Sequence, residues 1–294
     1  MASLGALRKS AGIRTLLSPL NSNPKVAKNE KLNVSTAVLH LAPGDMSGHE
    51  VCPKRSPGCS AACLHFAGNP VYQDAKTKAR IKKTQLFFSN RNLFMNILAL
   101  EMVSHILNVR KKGMTPAFRL NATSDIVWEK KTFILFPETA AIINKKLPEA
   151  DITAKTIIAL FPATIFYDYT AIPNRSAPGN YYLTFSLKEQ NLHDARGAIR
   201  QGFNIAVVFP VGVLPDRPAP IRAAIPPSSK AMTGSELTGA RIFKRRSKIF
   251  ASLMKKWTGL IQPWKFRARY LKMFRIPSPR SSSMPELIWA TRPA

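Results

Sequence analysis

Short apolar segments recur along the middle of the chain, and stretches of helical or irregular character separate them. Between the first two segments, a helical pattern covers residues 80–112 and has a break near 89–92. Strands that alternate with helices form parallel sheets, so the sequence predicts an α/β fold with a parallel sheet of about five or six strands. The predicted strands are residues 34–42, 116–120, 163–167, 180–185 and 204–209.

So few strands cannot close the eight-stranded barrel of the TIM fold. The expected form of the sheet is therefore a partial barrel, TIM-like and similar to that of radical S-adenosylmethionine enzymes, or an open sheet. In all these arrangements, ligands bind outside the carboxyl ends of the strands. The polar residues that follow the predicted strands should therefore meet on one rim.

Carboxylates and other polar side chains on this rim are candidate site residues. Asp125 and Asp168 each follow a predicted strand, where a carboxylate can act as a catalytic base or orient a substrate. The structural alternative is a helix N-cap or a turn anchor. Arg119 lies within a strand pattern, and a buried guanidinium requires an aspartate or a ligand phosphate or carboxylate as its partner. The predicted substrate-binding residues are Arg119, Asn121, Ser124, Tyr167, Tyr169 and Ser186.

All three cysteines of the chain, Cys52, Cys59 and Cys63, lie in the loop that follows the first predicted strand. Their spacing is C-x6-C-x3-C, and thiolates at such spacing can hold three corners of a zinc site or of an iron–sulfur cluster. His49 or His65 could supply a fourth ligand. The absence of any metal is an equally open alternative.

This three-cysteine loop looks like the arrangement in radical S-adenosylmethionine enzymes, where three cysteines hold a [4Fe–4S] cluster beside the cofactor. The usual spacing in those enzymes is C-x3-C-x2-C, from which this chain departs. The predicted cofactors are therefore a [4Fe–4S] cluster with S-adenosylmethionine, with zinc as the alternative.

The chain is strongly basic, with a formal net charge of +28. Such a charge attracts polyanions, so nucleic acid is a possible partner. Residues 1–32 read as a basic disordered arm, and no sequence run approaches the ~18 apolar residues of a membrane span. Because no secretory signal precedes the clustered cysteines, a reducing cytoplasm is the expected location.

The composition changes after the predicted core domain of residues 33–210. Residues 201–294 contain three acidic residues against seventeen Lys and Arg. Residues 211–294 are therefore interpreted as a basic, Pro-rich and partly disordered extension. Within it, residues 241–262 have the pattern of a basic amphipathic helix.

Four motifs along the core stand out: Cys52-Pro53 with Ser56 to Leu64, Arg119 to Ile126 with Trp128-Glu129, Phe166 to Thr170, and Asn180 to Ser186. Together they resemble the phage gene product 88 family, which occurs in phages, prophages and plasmids and has no known function. The resemblance covers roughly residues 30–210. It implies an origin and a fold but no reaction, and the basic C-terminal part departs from the family. A change of reading frame near residues 208–215 would explain that departure.

Three functional hypotheses follow. The first is a phage- or plasmid-derived enzyme that depends on a metal or an iron–sulfur cluster at a three-cysteine site. The second is a non-catalytic accessory protein that binds nucleic acid through its basic surface. The third is a decayed prophage remnant without activity.

Overall fold

The computed structural model describes residues 3–18, 33–66, 70–209 and 272–275. The chain divides into two compact units. The first comprises Met1–Arg55 and Cys63–Thr184, and the second comprises Ser56–Ala62 and Phe185–Ala294.

Helices and strands alternate along the described residues. The helices are α1 Leu4–Ser10, α2 Pro57–Ala61, α3 Gln73–Ser89, α4 Arg91–Arg110, α5 Pro137–Lys146, α6 Ile157–Leu160 and α7 Leu192–Arg200. Short 3-10 turns cover Leu64–Phe66, Pro70–Tyr72 and Trp128–Lys130. The strands are β1 Val34–Val38, β2 Thr115–Arg119, β3 Ile165–Thr170, β4 Tyr181–Ser186, β5 Asn204–Phe209 and β6 Lys272–Arg275.

The strands lie in the sheet in the same order as along the chain. β1 pairs with β2 and β2 pairs with β3, both in parallel. The sheet has five parallel strands, and β6 pairs antiparallel with β5. The predicted α/β fold with a parallel sheet is confirmed, whereas the partial barrel stays a prediction.

The central helix of the first unit is α4. Asn90 separates it from α3, since its Oδ1 accepts a hydrogen bond from the Leu93 N–H at 3.1 Å and caps α4. This confirms the predicted break near 89–92. Gly113 follows the last turn with φ +69°, a conformation that favours glycine. By length and composition α4 could cross a membrane, but 72% of its apolar window is buried inside the protein, as in a core helix.

The N-terminal segment packs on α4, which corrects the prediction of a disordered arm for the described residues 3–18. Leu16 and Leu17 are buried. Glu101 of α4, also buried, accepts hydrogen bonds from both of their backbone N–H groups, at 2.7–3.0 Å, and pairs with Arg8 at 2.9 Å. Low local hydrophobicity suggested disorder, but a distant carboxylate orders the segment by satisfying its backbone donors.

The second unit has its own small core. Phe185, Leu187 and Ile205 form it with Ala195 and Ala198 of α7. The predicted strand at 204–209 is confirmed, and α7 precedes it in the chain. The predicted helix at 241–262 lies outside the described residues.

Candidate functional site

β3 runs through the tyrosine–aspartate motif and ends at Thr170. Asp168 and Tyr169 therefore lie within the strand with Tyr167, which corrects the prediction that the strand ends at Tyr167 and that they follow it. Asp168 is buried, whereas Tyr167 and Tyr169 are partly exposed. Because successive side chains of a strand point to opposite faces, Asp168 and the two tyrosines project from different faces of the sheet.

Asp168 is a buried acceptor for several donors of the first unit. Its two oxygens accept hydrogen bonds from the Leu120 N–H at 3.1 Å and the Asn121 N–H at 2.8 Å. The Tyr181 hydroxyl donates a third at 3.0 Å. Burial raises the pKa of Asp168 to about 7, although Arg119 and these donors oppose the rise. Near neutral pH this carboxyl can hold or release a proton.

A chain of buried polar groups continues from Tyr181. Arg175 lies 3.4 Å from the Tyr181 hydroxyl and donates to both oxygens of Glu129, at 2.9 and 2.5 Å. Asp125 lies 3.6 Å from the same guanidinium. These groups form one network around Arg175, whose fork geometry suits bidentate pairing with a carboxylate.

Asp125 joins three segments of the first unit. Its Oδ2 accepts a hydrogen bond from the Ala171 N–H at 2.8 Å, and its own N–H donates to the Val51 carbonyl at 2.7 Å. With the Arg175 ion pair, these contacts match the anchoring alternative of the sequence interpretation. The catalytic role of Asp125 stays a prediction.

Asn121 organises the turn after β2. Its Oδ1 accepts hydrogen bonds from the Ser124 hydroxyl, the Ile126 N–H and the Trp128 indole, each at 3.0 Å. Its Nδ2 donates to the Ile126 carbonyl at 2.8 Å. Asn121 and Ser124 are buried in these internal contacts, so their predicted substrate-binding role requires the turn to rearrange.

Four cations lie near His40, just beyond β1. Burial lowers the pKa of His40 to about 3, and the positive charges of Arg80, Arg119, Lys83 and Lys76 lower it further in that order. All five side chains are partly exposed. We call these five side chains the His40 cluster: a neutral imidazole in the field of two guanidinium and two ammonium groups.

Arg119 connects this cluster with the tyrosine face of β3. Its guanidinium carbon lies 4.9 Å from the centre of the Tyr169 ring, and Tyr167 donates a hydrogen bond to Thr36 at 3.2 Å. The nearest paired carboxylate oxygen, on Asp168, is 3.9 Å from Arg119 Nε. This Nε is buried and has no hydrogen-bond partner among the described residues. The pairing with Asp168 is the aspartate alternative of the sequence interpretation, and the substrate-binding role of Arg119 stays a prediction.

The first unit contains two of the three cysteines. Cys52 Sγ lies 3.8 Å from the Thr123 carbonyl, and Cys63 Sγ accepts a hydrogen bond from the His65 N–H at 3.5 Å. Both ring nitrogens of His65 are engaged, with Arg80 at 2.8 Å and with Thr77 at 3.0 Å. His65 therefore has no ring nitrogen left for a metal.

Cys59 and Ser186 belong to the second unit. Cys59 is exposed in α2, and the carbonyl of Ser186 accepts a hydrogen bond from Asn191 at 2.9 Å. Among the described residues there is no group of three or more His, Cys, Asp or Glu side chains that could hold a metal ion. The three-cysteine metal site, with its zinc or [4Fe–4S] cluster and S-adenosylmethionine, stays a prediction.

Sequence reasoning missed most of the His40 cluster. Lys76, Arg80 and Lys83 have the i, i+4, i+7 spacing of one helix face, which was a readable signal. His40 lies inside the first predicted strand, residues 34–42, so its position in the sequence suggested a strand residue rather than a site residue. Arg175 had no local signal, because it lies in a loop far from its acidic partners in the sequence.

These features define a class of protein: an α/β protein with a parallel sheet, a buried carboxylate network and a cationic cluster next to the strand ends. The chain belongs to the Gene product 88 family, whose model matches residues 15–236. The match confirms the resemblance drawn from the four motifs. It continues past residues 208–215, where the change of reading frame was placed, and that hypothesis stays a prediction. The searches of curated proteins and of solved structures found no match.

Proposed function

We propose that the first unit binds a small anionic ligand at the His40 cluster. The observation that carries the proposal is that four cationic side chains act electrostatically on the partly exposed His40 and help to lower its pKa, so that it is neutral at neutral pH. Like charges held together repel each other, and an anion bound among them offsets that repulsion. A phosphate or a carboxylate has the complementary charge.

Arg119 is the side chain best suited to contact the ligand directly. The Tyr169 ring supports one face of its guanidinium, and its buried Nε lacks a hydrogen-bond partner among the described residues. A rigid guanidinium fork matches the oxygen spacing of phosphate and carboxylate groups. The Arg119 side chain is 22% exposed although its Nε is buried, so the ligand would contact its terminal nitrogens.

His40 contributes hydrogen bonding rather than charge. Ser18 Oγ lies 3.2 Å from its Nδ1, so the Nε2 atom is the ring nitrogen available to a ligand. Because the pKa of His40 is about 3, the imidazole stays neutral at neutral pH and can accept or donate one proton in a hydrogen bond. The proposal covers binding and includes no reaction step.

Titration calorimetry with inorganic phosphate tests the proposal, with thermal unfolding as a second readout. The wild-type chain should bind phosphate, and Arg119→Gln should weaken the binding about tenfold or more because a charge-assisted bond is lost. Lys145→Gln, at the exposed surface of α5, should leave the phosphate affinity unchanged. Equal phosphate affinity in Arg119→Gln and wild type would refute the proposal.

The metal-dependent enzyme hypothesis requires different groups, the three cysteines. It is independent of the His40 cluster, and metal analysis tests it separately.

A further inference from the structure

The exposed side of α3 presents two cations one helical turn apart. Lys78 and Lys82 are both exposed, and Ala75, Ala79 and Gln85 are exposed around them. The helix carries five basic residues and one acidic residue, so its field is positive along its length. Lys76, Arg80 and Lys83 of the His40 cluster lie on another side of this helix. Neither Lys78 nor Lys82 is three, four or seven positions from any of them, which is the spacing of residues on one helix face.

Exposed rings lie just before the first turn of α3 and in its last turn. Before the first turn, Phe66 is 59% exposed and Tyr72 is 67% exposed. In the last turn, the exposed Phe88 stacks face to face on His49, with ring centres 4.2 Å apart and planes 9° from parallel. The helix between Tyr72 and Phe88 is about 24 Å long. Single exposed rings are ordinary on a protein surface, so it is their combination with the lysines of the same helix that indicates a partner.

We propose that this surface binds single-stranded nucleic acid. We call it the α3 face, defined by Lys78, Lys82 and the rings of Phe66, Tyr72, Phe88 and His49. Bases stack on exposed rings, and phosphates pair with lysines, which is how proteins bind single strands without sequence preference. The bases of a duplex are stacked on each other, so the rings of the α3 face would have nothing to stack on. The proposal does not depend on the His40 cluster.

An anionic membrane is the competing partner, because it also attracts lysines beside apolar rings. A helix that lies on a membrane has a continuous apolar face. The exposed positions of α3 between its two ends are instead Ala75, Lys78, Ala79, Lys82 and Gln85, which include no large apolar side chain. The observations therefore favour nucleic acid.

Fluorescence anisotropy of the full chain with a labelled oligothymidylate of about 20 nucleotides, at several salt concentrations, tests the proposal. Tyr72→Ala should weaken binding about tenfold without changing the salt slope, because a stacked base is lost. The double variant Lys78→Gln, Lys82→Gln should weaken binding and also reduce the salt slope, by about 0.7 for each lost phosphate contact.

The matched control is the double variant Lys145→Gln, Lys146→Gln, which removes two exposed lysines from α5. This variant should retain nearly all of the oligonucleotide affinity, because it lowers the net charge of the protein without changing the α3 face. Equal losses in the two double variants, or full affinity in Tyr72→Ala, would overturn the proposal. So would Tyr72-dependent binding to phosphatidylserine vesicles without Tyr72-dependent binding to the oligonucleotide. Wild type that binds inorganic phosphate but not the oligonucleotide would overturn this proposal alone, so a failure here is distinct from a failure at the His40 cluster.

Discussion

Asp168 shows how burial and hydrogen bonding compete at a single residue. Three donors and the Arg119 charge stabilise its carboxylate, but complete burial favours the neutral acid, and the resulting pKa is about 7. The network that continues through Tyr181 and Arg175 to Glu129 is almost fully buried. A change of charge at Asp168 must therefore be accommodated inside the protein, where water cannot screen it.

The raised pKa of Asp168 has a consequence for stability. The folded protein holds this proton more tightly than the unfolded chain, in which the ordinary value is 3.8. The tighter binding of the Asp168 proton stabilises the folded protein fully below about pH 4, and this stabilisation is lost as the pH rises to about 7. We expect wild type to lose stability relative to the non-titrating Asp168→Asn over this range, and the difference to be constant above it. Urea unfolding of both proteins across this pH range measures the difference between their free energies of unfolding.

Asp151→Asn is the control for this experiment. Asp151 is exposed, and hydrogen bonds from Thr153 lower its pKa below 3.8. The contribution of Asp151 to stability is therefore lost only below the tested pH range. The free energies of unfolding of Asp151→Asn and wild type should differ by a constant amount across that range. If the Asp168→Asn difference were also independent of pH, Asp168 would not titrate as described.

At the scale of elements, α4 organises the first unit because it packs against several segments at once. It contacts β1, β2, α3 and the N-terminal helix α1. The buried residues of α4 lie on nearly all sides of the helix. The hydrophobic periodicity of its sequence therefore does not show which element packs against which side. Its one buried acid, Glu101, fixes the N-terminal segment.

Glu101→Gln should release the segment of residues 3–18. The variant loses charge-assisted hydrogen bonds to Leu16, Leu17 and Arg8, so the opened segment should be populated about tenfold more or higher. Trypsin cleavage at Arg8 and Arg14 should accelerate by the same factor, because cleavage follows the population of the open form. Mass spectrometry of the first peptides released measures this.

Glu149→Gln is the matched control, since Glu149 pairs with Arg110 at the exposed surface. Exposed pairs contribute little, so cleavage at Arg8 and Arg14 should match that of wild type. Unchanged cleavage in Glu101→Gln would show that apolar packing, rather than the carboxylate, holds the segment.

At the scale of the whole molecule, the chemistry-bearing residues are divided between two units. The buried network and the His40 cluster lie in the first unit, whereas Cys59 and Ser186 lie in the second. The cytoplasmic location expected from the sequence stays a prediction, as does the origin in a decayed prophage.

The three-cysteine hypothesis predicts bound metal. Protein purified without oxygen should contain stoichiometric zinc, or iron with sulfide, and the triple variant Cys52→Ser, Cys59→Ser, Cys63→Ser should contain none. Elemental analysis and optical absorption measure this, with circular dichroism as the check of folding. Folded wild type that contains none of the three elements would refute the hypothesis.

The sequence alone determined the α/β class, the order of the five parallel strands, the break at Asn90 and the family. These features follow from periodicity, capping and motif order, which are properties of neighbouring residues. Only the tertiary structure decided that Asp168 lies within β3 rather than after it, that Glu101 orders the N-terminal segment, and that four cations act on His40. Such groups come from positions up to about a hundred residues apart, brought together by burial of the core, and no local pattern encodes their approach.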